Sequence, residues 1–217
     1  MRIEQLYKLA GREEIDYAFI TAALSNYACP REKISTWLKN KSLIRIKKGL
    51  YVFGDQIAQQ PYSLEVLANL IYGPSAISLR YALAFHGLIP ERVTTITCIT
   101  NKRNKQFDTP VGPFTYRYLN NRRYAIGIEL RSTVTGVSFL MASPEKALCD
   151  LIYLEDRALS IQSPQDIAAY LFQDLRLDED ILRQLNLKSL QQLVVQYQHS
   201  TLTQVIEFIM RYIKASS

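Results

Sequence analysis

Glycine, cysteine and histidine are scarce in this chain of 217 residues, which has 8, 3 and 2 of them. No GxGxxG or GxxxxGK[ST] string occurs, so a glycine-rich loop that cradles phosphate is not expected. Cys29, Cys98 and Cys149 are odd in number and far apart, which fits neither a disulfide framework nor a zinc spacing. With His86 and His199 as the histidines, a zinc hydrolase is not expected either. We therefore expect a reducing cytoplasm, no metal and no cofactor.

Long apolar runs are also lacking. None approaches the roughly 18 residues needed to span a bilayer. The opening stretch, MRIEQLYKLAGREE, is charged and does not have the apolar region of a secretion signal. These absences predict no membrane partner. The composition of the whole chain, with 48% hydrophobic and 21% charged residues, is typical of a globular protein. Its length indicates one or two domains.

Positive charge is present in excess and is unevenly distributed. The net charge is +6. Residues 1–54 carry ten Lys or Arg against five Asp or Glu, and residues 80–131 carry nine against three. Residues 132–217 are acidic, with seven basic and ten acidic side chains. Two basic blocks indicate a polyanion as partner, although an unevenly charged solvated surface would give the same count.

The first block predicts three short helices and a hairpin. Apolar residues recur at helical spacing in IEQLYKLA, in DYAFITAALSNY with Asp16 as N-cap, and in the segment after Pro30. LIRIKKGLYVF alternates apolar and polar residues around a basic tip, where Gly49 is expected to have positive φ. The polar stretch 55–62 predicts a linker between a domain of residues 1–54 and one of residues 63–217.

The second block changes period along its length. Helices are predicted for SLEVLANLIY and LRYALAFH, and strands for 94–100, 114–119, 126–133 and 137–142, with a basic loop after the first strand. Ser143–Pro144 and Ser163–Pro164 start further helices, and the tail is helical and amphipathic. The predicted class is α+β: a winged helix-turn-helix, then a mixed α/β domain with an antiparallel-rich sheet and a helical tail.

Three helices followed by a basic hairpin is the order of a winged helix-turn-helix. In residues 31–41, Ile34 and Leu38 would point inward with Trp37 flanking, which leaves polar and cationic residues for a helix that enters a major groove. Arg31, Thr36 and Asn40 have the hydrogen-bonding groups best suited to base edges. The predicted DNA-binding residues are Arg31, Lys33, Ser35, Thr36, Lys39, Asn40, Lys41, Arg45, Lys47 and Lys48. The alternative is a solvated helix in a small helical bundle.

A second set of cations allows more than one interpretation. Lys102, Arg103, Lys105, Arg122 and Arg123 could form a second nucleic-acid surface, a partner surface or a flexible solvated loop.

No set of residues predicts an active site. His86 is expected to cap or pack at the end of its helix. Glu145 suits the macrodipole of a helix start, and it lies five residues from Asp150, so the two share no face. Cys149 is expected in the core, and Ser143 has no neighbour that would activate it. The chain is therefore not expected to be an enzyme.

The order of these pieces resembles the AbiEi-type antitoxins, transcriptional regulators of bacterial abortive-infection loci. A basic hairpin ending RIKKGLYVF is followed by YSLEVLANLIYGPSAISLRYALAFHGLIPE, by strands, and by SPEKALCDLIY. The most specific pieces are the helix that ends in His86-Gly87-Leu88 and the string from Ser143 to Leu148. The resemblance covers roughly residues 1–155.

The resemblance implies a two-part function in phage defence. The N-terminal part would bind double-stranded DNA at inverted repeats in the promoter of its own operon and repress it, which places the DNA contacts on the helix and hairpin cations named above. The C-terminal part would counteract a co-encoded nucleotidyltransferase toxin in a type IV toxin–antitoxin system, without needing a tight complex. It implies no catalytic motif.

Two other functions remain open. The chain could be a stand-alone regulator whose C-terminal domain senses a ligand or directs assembly. It could also be a nuclease that uses the first domain for targeting, which would need acidic residues clustered at strand ends. Glu129 is the one acidic residue within the four predicted strands, and Asp108 lies in the basic loop.

Overall fold

The computed structural model describes residues 1–155, 161 and 163–215. Its elements are α1 (Ile3–Ala10), β1 (Glu14–Asp16), α2 (Tyr17–Ala23), α3 (Pro30–Lys39), β2 (Leu43–Lys47), β3 (Leu50–Phe53), α4 (Leu64–Ile71), β4 (Ser75–Ile77), α5 (Leu79–Phe85), β5 (Ile96–Thr100), β6 (Lys105–Thr109), β7 (Gly112–Tyr118), α6 (Asn121–Ala125), β8 (Ile128–Ser132), β9 (Ser138–Ala142), α7 (Pro144–Glu155), α8 (Pro164–Ala169), a π-helical turn (Tyr170–Asp174), α9 (Glu179–Arg183), α10 (Leu187–Tyr197) and α11 (Ser200–Ala215). The strands form two sheets, in the orders β1-β3-β2 and β6-β7-β5-β4-β9-β8. The architecture is of the predicted α+β class.

Local sequence signals determine where the first helices begin. The Asp16 carboxylate accepts a hydrogen bond from Phe19 N at 2.7 Å, as the predicted N-cap of α2 should. Pro30 is the first residue of α3, where its missing N–H costs nothing. Gly49 has φ +87° between β2 and β3, which confirms the expected left-handed turn.

The three-stranded sheet is covered on both faces. Tyr51 and Phe53 of β3 pack in a small core with the helices α1–α3. Leu50 and Val52, which alternate with them, pack in the larger core together with Ile46 of β2. Because successive strand side chains point to opposite faces, the run Leu50–Phe53 is apolar at every position. The hairpin therefore lies between two hydrophobic cores.

The segment predicted as a linker is held by the N-terminal residues. Gln60 N donates to the Glu13 carboxylate at 3.2 Å, and Ser63 N donates to the Glu14 carboxylate at 2.8 Å. Ile57 also packs against the small core. Main-chain hydrogen bonds and packing therefore fix this polar stretch against the start of the chain.

The six-stranded sheet is mixed. β6 pairs with β7, β4 with β5, and β8 with β9 in antiparallel fashion, whereas β5–β7 and β4–β9 are parallel. Antiparallel pairings therefore outnumber parallel ones, as predicted. Ser143 Oγ accepts from Lys146 N at 3.2 Å, and Ser163 with Asp166 forms a capping box, which confirms both predicted helix starts.

Two strands of this sheet were absent from the prediction. The prediction that residues 101–112 form only a loop is wrong, because Lys105–Thr109 is strand β6 and pairs with Pro113–Tyr116 and Gly112 of β7. Its pattern Lys-Gln-Phe-Asp-Thr is too polar to stand out as a strand, since it lies at the sheet edge. β4 has only three residues, which is too short for a period to be visible.

An asparagine side chain joins α4 to the middle of the sheet. Asn69 Oδ1 accepts from Leu140 N at 2.6 Å, and Asn69 Nδ2 donates to Ser75 O at 3.2 Å. β4 and β9 share a single register pair, Ile77 with Met141. The amide thus satisfies main-chain groups of two strands where their own ladder is short. Among the described residues, no helix is long and apolar enough to cross a membrane.

Replacement of Gly54 by alanine is expected to destabilise the fold by roughly 2–3 kcal/mol. A Cβ atom at this position would lie 1.9 Å from the carbonyl oxygen of Lys41, which belongs to rigid backbone. Thermal unfolding followed by circular dichroism measures the effect. Gln56→Ala, two residues away on an exposed side chain, is the control and should unfold like the parent chain. Equal melting temperatures for Gly54→Ala and the parent would contradict the close approach.

Candidate nucleic-acid interface

Helix α3 has one buried face and one exposed face. Ile34 and Trp37 are buried in the small core, Leu38 is half-buried, and α3 packs on β2. The exposed residues from the helix and the turn after it are Arg31, Glu32, Ser35, Thr36, Lys39, Asn40 and Lys41. The prediction of an inward Ile34 is met, and Trp37 is more deeply buried than its predicted flanking position. Most of the predicted groove-facing side chains are therefore open to solvent.

Two cations of α3 contact aromatic side chains. Arg31 Nε donates to Tyr17 OH at 3.3 Å, which connects the start of α3 to α2. Lys33 Nζ lies 5.7 Å from the centre of the Trp37 ring. Both contacts hold the cation near the surface of the helix without pairing it to an acid, so the positive charge is left for an anionic partner.

The uncharged polar residues of α3 and its C-cap Asn40 differ in which hydrogen-bonding groups are already used within the chain. The Thr36 hydroxyl donates to Glu32 O at 2.9 Å within its own helix, and Asn40 Oδ1 accepts from Ser42 N at 3.1 Å. Among the described residues, no hydrogen bond from the Asn40 amide nitrogen is seen, so its two N–H groups can serve as donors. Ser35 is exposed one turn before Lys39. Asn40 thus combines a fixed side chain with free donors.

The hairpin exposes Arg45 and Lys48 but not Lys47. The Lys47 ammonium donates a hydrogen bond to the carbonyl oxygen of Ile71 at the end of α4. Burial, together with the neighbouring Lys105 charge, lowers the pKa of Lys47. Of the predicted hairpin cations, Lys47 is therefore the one whose ammonium points toward α4 and not toward solvent.

Two cations of the second predicted set lie beside this end of α4. Lys102 Nζ donates to Gly73 O at 2.6 Å. Lys102 Nζ and Lys105 Nζ lie 5.7 Å and 5.5 Å from the centre of the Tyr72 ring. Because the Lys47 ammonium donates to Ile71 O and both lysines lie beside Tyr72, the next residue, the hairpin and this basic region are neighbours. The sequence placed these cations in two separate blocks.

Arg103 and Tyr118 extend the same region outward. Both are exposed and line an open concavity of about 610 Å³ with Tyr72, Asn101, Lys102 and Asn104. Tyr72 and Tyr118 were not singled out from the sequence. The signal that the sequence offered for this region was the Lys102-Arg103 pair. Tyr72 follows α4 and Tyr118 ends β7, and the two tyrosines become neighbours only in the folded chain.

Arg122 and Arg123 serve a different role and do not join that region. Arg122 donates to Val195 O at 3.1 Å, and Arg123 donates to Tyr197 O at 2.7 Å. The Arg123 guanidinium also lies 4.4 Å from the centre of the Tyr153 ring. Carbonyl groups at the end of a helix lack intrahelical partners and attract cations. The two arginines therefore cap the C-terminal end of α10.

A fully buried polar network lies inside the second half of the chain. Lys146 Nζ donates to Asp150 Oδ1 at 3.1 Å and to Arg123 O at 2.7 Å, and it lies 3.0 Å from Tyr197 OH. The Tyr197 hydroxyl donates to Asp150, and Ser78 Oγ donates to Asp150 Oδ2 at 2.6 Å. Burial and the Asp150 charge raise the pKa of Tyr197 well above its usual value. Lys146 and Asp150 have 0% exposed side chains, so the network has no access for a substrate.

His86, Glu145 and Cys149, which were not predicted to be catalytic, make structural contacts. His86 is the C-cap of α5, and its Nε2 lies 2.9 Å from Ala142 O. Burial lowers the pKa of His86, which keeps the ring neutral near pH 7. Cys149 is buried, and Glu145 accepts from Asn186 N at 2.8 Å. Within the described part of the chain, no group of three or more His, Cys, Asp or Glu side chains could hold a metal ion.

Comparisons with known proteins show the fold and no family. No family model matches the chain, and no curated protein matches it. Among solved structures, the RV2827C protein from Mycobacterium tuberculosis is similar, with a TM-score of 0.59 and 12% sequence identity. The match covers 96% of this chain and 76% of that chain. A likeness at this identity is one of architecture alone.

Replacement of Lys146 by methionine is expected to destabilise the chain by about 3–5 kcal/mol, because it leaves the Asp150 carboxylate buried without its charge partner. Arg183→Met is the matched control. It removes an exposed cation that pairs with Glu179 at 2.8 Å, and should cost less than about 1 kcal/mol. Urea unfolding measures both. Similar losses for the two variants would contradict a structural role for the buried pair.

Proposed function

We propose that the chain is a DNA-binding transcriptional repressor in which α1–α3 and the β2–β3 hairpin act as a winged helix-turn-helix. The observation that carries the proposal is the two-sided character of α3. Ile34 and Trp37 attach the helix to the small core, while its polar and basic side is exposed. A major groove about 12 Å wide admits a helix of this kind. The basic excess of residues 1–54 supports a polyanion as partner.

The contacts to DNA are assigned by exposure. Lys39 at the end of α3, Lys41 in the turn after it, and Arg45 and Lys48 of the hairpin would neutralise phosphates, because these side chains are exposed. Arg31 and Asn40 have donors for base edges. Lys47 is removed from the predicted contacts, since its ammonium is occupied by Ile71 O. Binding at inverted repeats would place two copies on one operator.

The antitoxin part of the proposal is supported by the sequence resemblance. The strings around His86 and Ser143, which carry that resemblance, lie within residues 63–217 and not in the small core. Neutralisation of a co-encoded nucleotidyltransferase toxin is therefore assigned to residues 63–217. The chain would repress its operon with one half and counteract the toxin with the other.

A ligand-sensing regulator is the second candidate, and one observation favours it. An open groove of about 670 Å³ lies over one side of β5–β7. Leu79, Leu151 and Leu154 supply apolar lining, while Thr97 and Arg117 supply polar groups. Small-molecule sites combine such surfaces. In this case the operator affinity would respond to a ligand, and no toxin would be counteracted.

Replacing Lys39 or Lys48 by alanine is expected to reduce the salt dependence of operator binding, with each lost phosphate contact lowering the log–log slope by about 0.9. Lys47→Ala is the matched control and should leave the slope unchanged, because its ammonium already bonds to Ile71 O. Fluorescence anisotropy with the upstream promoter duplex, titrated with salt, measures all three. Equal slopes for Lys39→Ala, Lys47→Ala and the parent would contradict the assignment of α3 to the groove.

Lys39→Glu is expected to abolish operator binding while leaving toxin neutralisation intact, because α3 lies outside the half assigned to that activity. Co-expression with the nucleotidyltransferase that the proposal places in the same operon, scored by colony growth, measures neutralisation. The parent chain provides the reference for full rescue. Failure of the parent chain to rescue growth would contradict the antitoxin proposal and favour the stand-alone regulator, whereas the DNA-binding proposal would stand or fall on the salt titration.

A further inference from the structure

Strand β8 forms one edge of the six-stranded sheet, and its hydrogen-bonding pattern identifies which residues face outward. Ser143 N donates to Gly127 O at 2.8 Å, and Thr133 N donates to Val137 O at 2.9 Å. Residues bonded to the partner strand alternate in an antiparallel pair. Glu129 and Arg131 therefore bond to β9, whereas the main-chain groups of Ile128, Leu130 and Ser132 point away from the sheet. Among the described residues, no hydrogen bond outside the ladder uses these outward groups.

Strand β8 has neither the lysine nor the proline that protects many sheet edges. Leu130 is 69% exposed, although it is a large apolar residue in the centre of the strand. The opposite edge strand, β6, begins with Lys105 and is followed closely by Pro110. Lysine and proline at an edge hinder pairing with another strand. The β8 edge is thus an exposed template for strand addition.

The sequence of β8 is complementary to itself. Consider a second, antiparallel β8 whose Leu130 lies opposite Leu130. Ile128 of each copy then lies opposite Ser132 of the other, so all three residues with outward main-chain groups are paired. No other register pairs all three. This register sets Glu129 opposite Arg131 of the other copy, twice. Within one chain, Glu129 and Arg131 already lie on the same face, with 2.7 Å between the Arg131 nitrogen and the Glu129 oxygen. A shift by two residues in either direction removes these opposite-charge pairs.

We propose that β8 pairs with β8 of a second copy of this chain about a two-fold axis at Leu130, which joins the two sheets into one. The pairing supplies about six main-chain hydrogen bonds, a leucine contact on one face and two ion pairs on the other. This interface is independent of the proposed DNA binding. Edge pairing alone buries less area than a permanent dimer needs, so the dimer dissociates on dilution.

A charge-swap series tests the register. Glu129→Arg alone and Arg131→Glu alone each set like charges opposite one another twice, and each is expected to raise the dimer dissociation constant at least about tenfold. The double variant Glu129→Arg/Arg131→Glu restores both ion pairs and should dimerise like the parent. Sedimentation velocity over about a hundredfold range of concentration measures the constants. Equal constants for all four proteins, or a parent that remains monomeric throughout the range, would overturn the proposal.

A cysteine pair tests the axis without disturbing charge. In a Cys29→Ser background, which removes the exposed native thiol, Leu130→Cys is expected to form a disulfide-linked dimer under mild oxidation. Directly paired residues of this type have Cα atoms about 5.5 Å apart, within disulfide reach. Val134→Cys is the control, since Val134 is even more exposed but lies beyond the strand. Similar crosslinking rates for both cysteines on non-reducing gels would overturn the two-fold axis at Leu130.

Discussion

The buried pair of Lys146 and Asp150 is the interaction on which the second half of the chain depends. The Lys146 ammonium donates to Arg123 O within α6 and to Tyr197 at the end of α10, while Asp150 accepts from the Ser78 hydroxyl just before α5. Four elements thus meet at two charges that have no contact with water. A buried charge that lacks any of its partners destabilises the folded state. The network therefore favours this arrangement of the helices over others that would leave a charge unpaired. The same arrangement places Arg123 where it can cap α10.

Much of the fold could be predicted because its helix starts are local. Asp16, Ser143 and Ser163 cap helices through hydrogen bonds that span three residues, and such signals are visible in sequence. Strands β4 and β6 could not be predicted by the same means. β4 is three residues long, and β6 is a polar edge strand whose existence depends on β7 beside it. Their stability comes from tertiary pairing, which no local pattern records.

The candidate interface was predicted in part for the same reason. The apolar spacing of Ile34 and Trp37 in α3 fixes which residues face outward, and that spacing is local. The hydrogen bond of Lys47 could not be predicted in this way, because its partner Ile71 lies 24 residues further along the chain. Likewise, Arg122 and Arg123 look like part of a basic surface until α10 supplies carbonyl groups 73 and 74 residues away. A lysine or arginine in a sequence shows charge but not whether that charge is already in use.

The double-sided burial of the hairpin has a practical consequence for dissecting the chain. Ile46, Leu50 and Val52 lie in the larger core, although they belong to the first 54 residues. A cut within 55–62 would expose these side chains and the apolar surface that they contact in the other fragment. Each fragment would then carry an exposed apolar patch, which favours aggregation. Truncated proteins would therefore report on misassembly rather than on the separate activities of the two halves. Point substitutions in the intact polypeptide are the safer way to assign them.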